Sequence, residues 1–210
     1  MSTNEISTDD ISTITVGLQN LNMGHNFEEV STLPPLIEGI LNGTATVDDV
    51  SEDNVNVVFS GDGMIPLMYA VMLDETALAQ KIAQTSRQSL TYRNTLNGKT
   101  ALMYAIEQNF FDMVEMLLVE ATSSALMNMV NIANDREFGK TPLMYTLTLD
   151  NEACVNMIGL LVTYGADASA QNQQHRTLYE EAVYIGDKNQ NTLSYINSIV
   201  YPDPMNPQGS

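Results

Sequence analysis

Basic side chains are scarce in this 210-residue chain: 8 Lys and Arg stand against 26 Asp and Glu, a net charge of −18. The shortage is uneven. Residues 1–80 hold 13 acidic residues and no Lys or Arg, whereas residues 81–210 hold 13 acidic residues and all 8 basic ones. Such a field repels nucleic acid and anionic membranes, and it attracts basic proteins. Cysteine is nearly missing as well. Cys154 stands alone, which excludes an internal disulfide framework. No apolar run reaches the roughly 18 residues that a membrane span requires. Residues 1–10 carry no basic residue and lead into no apolar stretch, so no secretory signal is expected there. The expected location is the cytoplasm, or a host's cytoplasm if the chain comes from a phage or pathogen.

Catalytic and metal-binding constellations are missing too. There are two histidines, His25 and His175, and no Cys/His cluster with zinc spacing. No glycine-rich motif of the phosphate-cradling kind occurs. Asp48-Asp49 and Glu52-Asp53 lack the spacing of a calcium loop and read as a solvated acidic loop. Glu180 and Glu181 are neighbours on an expected helix and so point to different faces, unlike an acid/base pair. Cys154 lies in an apolar run far from His175 and reads as a buried thiol. No enzyme activity, metal or cofactor is expected.

What the chain does have is a recurring phrase. It reads Pro66-Leu67-Met68-Tyr69-Ala70, then Ala101-Leu102-Met103-Tyr104-Ala105, then Pro142-Leu143-Met144-Tyr145-Thr146. A weaker copy is Thr177-Leu178-Tyr179 with Ala182 beyond. Self-similarity at this period marks stacked-repeat proteins, each unit needing its neighbours to bury its apolar face. Asp62-Gly63, Asn97-Gly98 and Phe138-Gly139 open the copies as turns. A short helix follows, begun by Pro66, Ala101 or Pro142, with Thr100 and Thr141 placed to cap it. A second apolar helix comes next, clearest at Met113, Val114, Met116, Leu117 and Leu118. The Met-Tyr pairs recur at packing positions and read as core.

Outside the repeats, residues 1–25 read as an extended or flexible acidic segment, with a short strand expected over Thr13–Leu18. Residues 26–57 read as a capping helix or degenerate repeat. There a helix is expected over 27–42, capped by Asn26, with Glu28 and Glu29 in its first turn and an interruption at Pro34-Pro35. Val55–Phe59 reads as a short extended piece. Residues 58–201 are expected to hold the repeats, and 202–210, with three prolines, a disordered tail. The second repeat runs long through Ala121–Asn131, and the third is expected to hold extra residues between its helices near Asp150–Ala153.

These residues resemble the ankyrin repeat. Gly98-Lys99-Thr100-Ala101-Leu102-Met103-Tyr104-Ala105 and Gly139-Lys140-Thr141-Pro142-Leu143-Met144-Tyr145 match its opening phrase, with Met103 and Met144 in place of the signature histidine. Leu117-Leu118, Leu160-Leu161 and Tyr164-Gly165-Ala166-Asp167 match its later parts. The resemblance implies an all-α solenoid of about four helix-turn-helix repeats behind an N-terminal capping segment. It also implies a protein partner on the concave face, which is built from turn tips and the exposed ends of the first helices.

Carried over, the turn positions are Asp62 and Met64; Leu96, Asn97 and Lys99; Glu137, Phe138 and Lys140; and Asn172, Gln173 and His175. The helix ends are Met72-Leu73, Glu107-Gln108, Thr148-Leu149 and Val183-Tyr184. Met64, Met72, Leu73, Leu96, Phe138, Leu149 and Tyr184 are apolar where exposure is expected, the mark of an interface. Lys99, Lys140 and His175 are expected to line up along the turns. Two functions compete. In the first, an adaptor or inhibitor grips a protein partner through the concave face, without binding nucleic acid or membrane directly. In the second, an acidic decoy mimics nucleic acid, its N-terminal third blocking a basic nucleic-acid-binding enzyme.

Overall fold

The structure, a computed structural model, describes residues 28–202. The expected strand at 13–18 and the cap at Asn26 lie outside these residues. Helices dominate. α1 (Pro35–Leu41) precedes four helix pairs: α2 (Pro66–Met72) with α3 (Thr76–Thr85), α4 (Ala101–Glu107) with α5 (Phe111–Glu120), α7 (Pro142–Tyr145) with α8 (Asn151–Thr163), and α9 (Leu178–Ile185) with α10 (Gln190–Val200). One further helix, α6 (Ser123–Asn131), follows α5. The first helices stack in order, α1 on α2, α2 on α4, α4 on α7 and α7 on α9. Behind them α3 packs on α5, and α8 on α10.

The repeated leucine explains the stacking. Leu67, Leu102 and Leu143 are at most 1% exposed, each on a first helix that packs against another on either side. Replacing one by alanine costs about 2–5 kcal/mol, because neighbours on both sides cannot collapse into the gap. Proline at the first helical position begins α1, α2 and α7, where its missing N–H is no loss. Threonine or asparagine caps do similar work elsewhere: Thr100 accepts from Met103 N–H, Thr177 from Glu180 N–H, and Asn189 from Thr192 N–H.

Three local expectations are corrected. Glu28–Val30 form a strand, β1, which pairs in parallel with β2 (Val57–Phe59), so Glu28 and Glu29 are not in a helix. The helix begins after Pro34 because that residue is extended (φ −64°, ψ 143°), as a residue before proline should be. In the third repeat no extra residues separate the helices. Thr146–Thr148 wind into a tighter 3-10 turn, and Asp150 caps α8 by accepting from Ala153 N–H. The length of the second repeat is real: it forms α6, which packs on the 3-10 turn Arg87–Thr91 and on α7.

Candidate partner-binding surface

The turns that open the repeats project as fingers, each tied at its base in the same way. Asn94 N–H donates to Lys99 C=O, Asn134 N–H to Lys140 C=O, and Asn172 N–H to Arg176 C=O, at 2.8–2.9 Å. Each of these asparagines also reaches across to the helix behind it. Asn94 Nδ2 donates to Tyr104 OH (3.1 Å), Asn134 Nδ2 to Tyr145 OH (2.8 Å), and Asn172 Nδ2 to Glu181 Oε2 (3.1 Å). In the first repeat the roles are kept with different groups, Tyr69 OH donating to Asp62. The amides also bind the preceding finger, Asn94 to Asp62 C=O and Asn134 to Asn97 C=O, both at 3.0 Å. The tyrosines are thus core residues whose hydroxyls hold the fingers, a role that their place in the repeated phrase did not reveal.

This bonding fixes the register of the fourth repeat. Gly63, Gly98 and Gly139 have φ of 72°, 76° and 73°, and the residue at the same place in the fourth finger is His175, at 58°. The residue after it is therefore the counterpart of Lys99 and Lys140. The basic row runs Lys99, Lys140, Arg176, and His175 is not in it. The same shift makes Tyr184-Ile185, not Val183-Tyr184, the helix end matching Glu107-Gln108. Asp74, Asn109 and Gly186, all with positive φ, follow those ends and confirm the match. The sequence signal was present: Thr177 caps α9 as Thr100 caps α4, and alignment on the threonines instead of the leucines finds the shift.

The row of cations is neutralised where it stands. Lys99 Nζ lies 2.8 Å from Glu107 Oε1 and 3.3 Å from Glu137 Oε1, and Lys140 Nζ lies 4.0 Å from Glu137 Oε2. Lys99 also sits 5.6 Å from the Tyr145 ring centre and 5.9 Å from that of Tyr104. Partial burial favours its neutral form, but the hydrogen bonds and charges of Glu107 and Glu137 outweigh that, so its proton is held above the ordinary lysine range. Arg176 Nε lies 2.7 Å from the buried Glu181 carboxylate, and its guanidinium stacks 3.7 Å from the Tyr184 ring centre. Arg93 pairs with Asp135 at 3.2 Å.

Exposure separates the predicted contact residues. Leu96 (52%), Phe138 (61%) and Tyr184 (71%) stand in solvent, as do Met72, Leu73 and Val183. Gln108, Thr148, Gln173 and His175 are exposed, while Asp62, Asn97, Lys99, Glu107, Glu137 and Lys140 are half-buried. Met64 and Leu149 are not surface groups: they are 6% and 7% exposed. Met64 is buried at the base of the first finger, where it pairs with Phe59, and Leu149 is drawn in by the 3-10 turn before it. Asn172 is buried because it ties its finger. Cys154 is fully buried, and burial pushes its thiol above the ordinary range. No cluster of His, Cys, Asp and Glu able to hold a metal occurs among the described residues.

A family model described as "Ankyrin repeats (3 copies)" matches residues 33–128. Those residues are ankyrin repeats. The crystal structure of EF0377, an ankyrin repeat protein, superimposes with a TM-score of 0.61 at 23% identity, over 79% of this chain and 78% of that one. That likeness supports the solenoid fold. No curated protein matches the sequence. Ankyrin repeats are a scaffold for protein–protein interaction. Among the described residues no helix is long and apolar enough to cross a membrane.

Proposed function

We propose that this ankyrin array is a non-enzymatic adaptor or inhibitor that holds one protein partner on its concave face, in the cytoplasm of its own or a host cell. The observation that carries the reading is the pairing of exposed apolar groups with neutralised charge. Leu96 and Phe138 project from adjacent fingers, and Tyr184 from the last first-helix. Between them, Lys99, Lys140 and Arg176 are already paired within the chain. A partner therefore gains by covering apolar and aromatic groups, which tend to dominate binding energy. Little of that gain depends on salt, since the charges on the face need no partner to satisfy them.

Leu96→Asp together with Phe138→Asp tests this. Partners captured by the wild-type protein are lost by the double variant, while its far-UV circular dichroism is unchanged. Retention of the partner by a folded double variant refutes the concave-face assignment. Leu149→Asp is unsuited to the purpose, because a buried carboxylate there unfolds the repeat. The acidic decoy rests on a separate observation, that residues 28–59 carry Glu28, Glu29, Glu38, Asp48, Asp49, Glu52 and Asp53 and no base. A partner that half-molar salt releases and DNA displaces supports the decoy.

A further inference from the structure

The charge on the array is polarised across its width. At the finger edge the five bases Arg93, Lys99, Arg136, Lys140 and Arg176 meet six acids, Asp62, Glu107, Asp135, Glu137, Glu180 and Glu181, which leaves that edge within one charge of neutral. The opposite edge is made of the turns that join first to second helices. It carries Asp74, Glu75, Asp112, Asp150, Glu152 and Asp187, all exposed. Its one base, Lys188, is buried, with Nζ donating to Leu149 C=O at 2.8 Å and paired to Asp187 at 3.1 Å.

Helix termini do not account for this acidity. Four second helices begin at this edge and four first helices end there, so their half-charges of opposite sign offset one another. Six carboxylates against one buried ammonium therefore leave a net −5. Asp150 is committed as a cap, accepting from Ala153 N–H. Glu75 stands at the N-cap of α3 with no side-chain bond to it, and Asp74 precedes the helix.

Exposed apolar groups run along the same edge: Leu73 (46%), Phe111 (39%) and Ile185 (45%). Between α5 and α8 lies a recess of about 480 Å³, with Phe111 and Ala153 on its apolar wall and Asp150 and Glu152 at its rim. The edge is continuous through the last three repeats. Asn109 and Asp150 line that one recess, and Asn189 N–H donates to Asn151 Oδ1 at 2.9 Å. We propose that this helix-turn edge is a second docking surface, adjoining the concave face at the first-helix ends Leu73 and Ile185, and that its occupant is a cationic amphipathic helix of a protein partner. Its Lys and Arg side chains face Asp74, Glu75, Asp112 and Glu152, and its apolar side chains cover Leu73, Phe111 and Ile185. The charge complementarity selects this occupant: an anionic or neutral helix leaves the carboxylates unpaired or desolvated.

The test uses the full chain and fluorescein-labelled synthetic peptides in anisotropy titrations. One peptide is an amphipathic helix of lysine and leucine, the second replaces lysine with glutamine, and the third is oligolysine of equal charge. The lysine/leucine peptide is expected to bind, and the other two to bind far more weakly. Each exposed ion pair is worth up to roughly fivefold in affinity. Asp74→Asn, Glu75→Gln and Glu152→Gln together are therefore expected to weaken binding roughly tenfold or more. Asp48→Asn, Glu52→Gln and Asp53→Asn remove the same charge from the N-terminal cap and are expected to change it less than about twofold. Equal losses from both triples reduce the effect to net charge and overturn the proposal, as does oligolysine binding as well as the amphipathic peptide, or no binding at all. The Leu96→Asp/Phe138→Asp protein keeps this peptide if the edge acts alone. Losing it reassigns the site to the concave face, whatever becomes of the first proposal.

Discussion

Asn134 holds the third finger, and its replacement by alanine is the most informative perturbation of the fold. Its amide donates to Tyr145 OH (2.8 Å) and to Asn97 C=O (3.0 Å), and its Oδ1 accepts from Arg136 N–H (3.0 Å). The side chain is fully buried, so water cannot replace these bonds. A buried bond lost with its partner left in place costs about 1 kcal/mol or more. Three such bonds set the expected loss for Asn134→Ala at about 3 kcal/mol, a large fraction of the roughly 5–15 kcal/mol that holds a domain together. Tyr145→Phe leaves the amide its bond to Asn97 and is expected to cost about 1 kcal/mol. The double variant is expected to show a coupling of about 1 kcal/mol, because both changes remove one shared bond. Urea unfolding followed by circular dichroism measures all three, read as shifts of midpoint at constant slope. Phe138 sits on the finger that Asn134 ties, so affinity for the partner should fall as well. A loss below about 1 kcal/mol for Asn134→Ala, or strict additivity with Tyr145→Phe, refutes the claim that the tyrosine ladder holds the fingers.

Backbone geometry gives a matched pair of predictions. Gly98→Ala, at φ 76° with a Cβ forced against Asn134 Oδ1, is expected to cost at least about 2 kcal/mol. His175→Gly relieves φ 58° at the same place in the last finger and is expected to be neutral or to stabilise by up to about 1 kcal/mol, so a destabilising result counts against the register given above. The Cys154 thiol is fully buried and its pKa is raised, so an aromatic disulfide reagent should label it only as the array unfolds; fast labelling of the native protein contradicts this placement. Burial raises the phenols of Tyr69 and Tyr145 above their ordinary range. The native state thus prefers their neutral form. Its stability is intact below the unfolded pKa of about 10 and falls as pH rises past it. Phenolate absorbance from these groups should appear together with loss of helix signal, and complete titration of all 9 tyrosines in a still-folded protein would exclude it.

The sequence by itself determined the repeat. Leu67, Leu102 and Leu143 recur with Pro or Ala before them and Met-Tyr after them, and each must be buried by a neighbouring copy, so the phrase dictates stacking. Local chemistry was legible for the same reason. Pro66 and Pro142 start helices, Thr100 caps one, and Gly98 and Gly139 supply the left-handed turn, all through bonds within a few residues. The fate of Glu28 and Glu29 was not legible, because β1 exists through pairing with Val57–Phe59, some thirty residues away. Only the tertiary structure decided which apolar residues reach solvent. Leu149 and Leu96 look alike in sequence, yet a tightened turn buries the first and a finger tip exposes the second. Only stacking shows that Lys99 and Lys140 share Glu137, and that the tyrosine hydroxyls clamp the fingers. Whether a surface is neutral or acidic is a sum over groups brought together by several repeats. No single stretch of chain contains that sum, so the polarity across the array emerges only once the repeats are stacked.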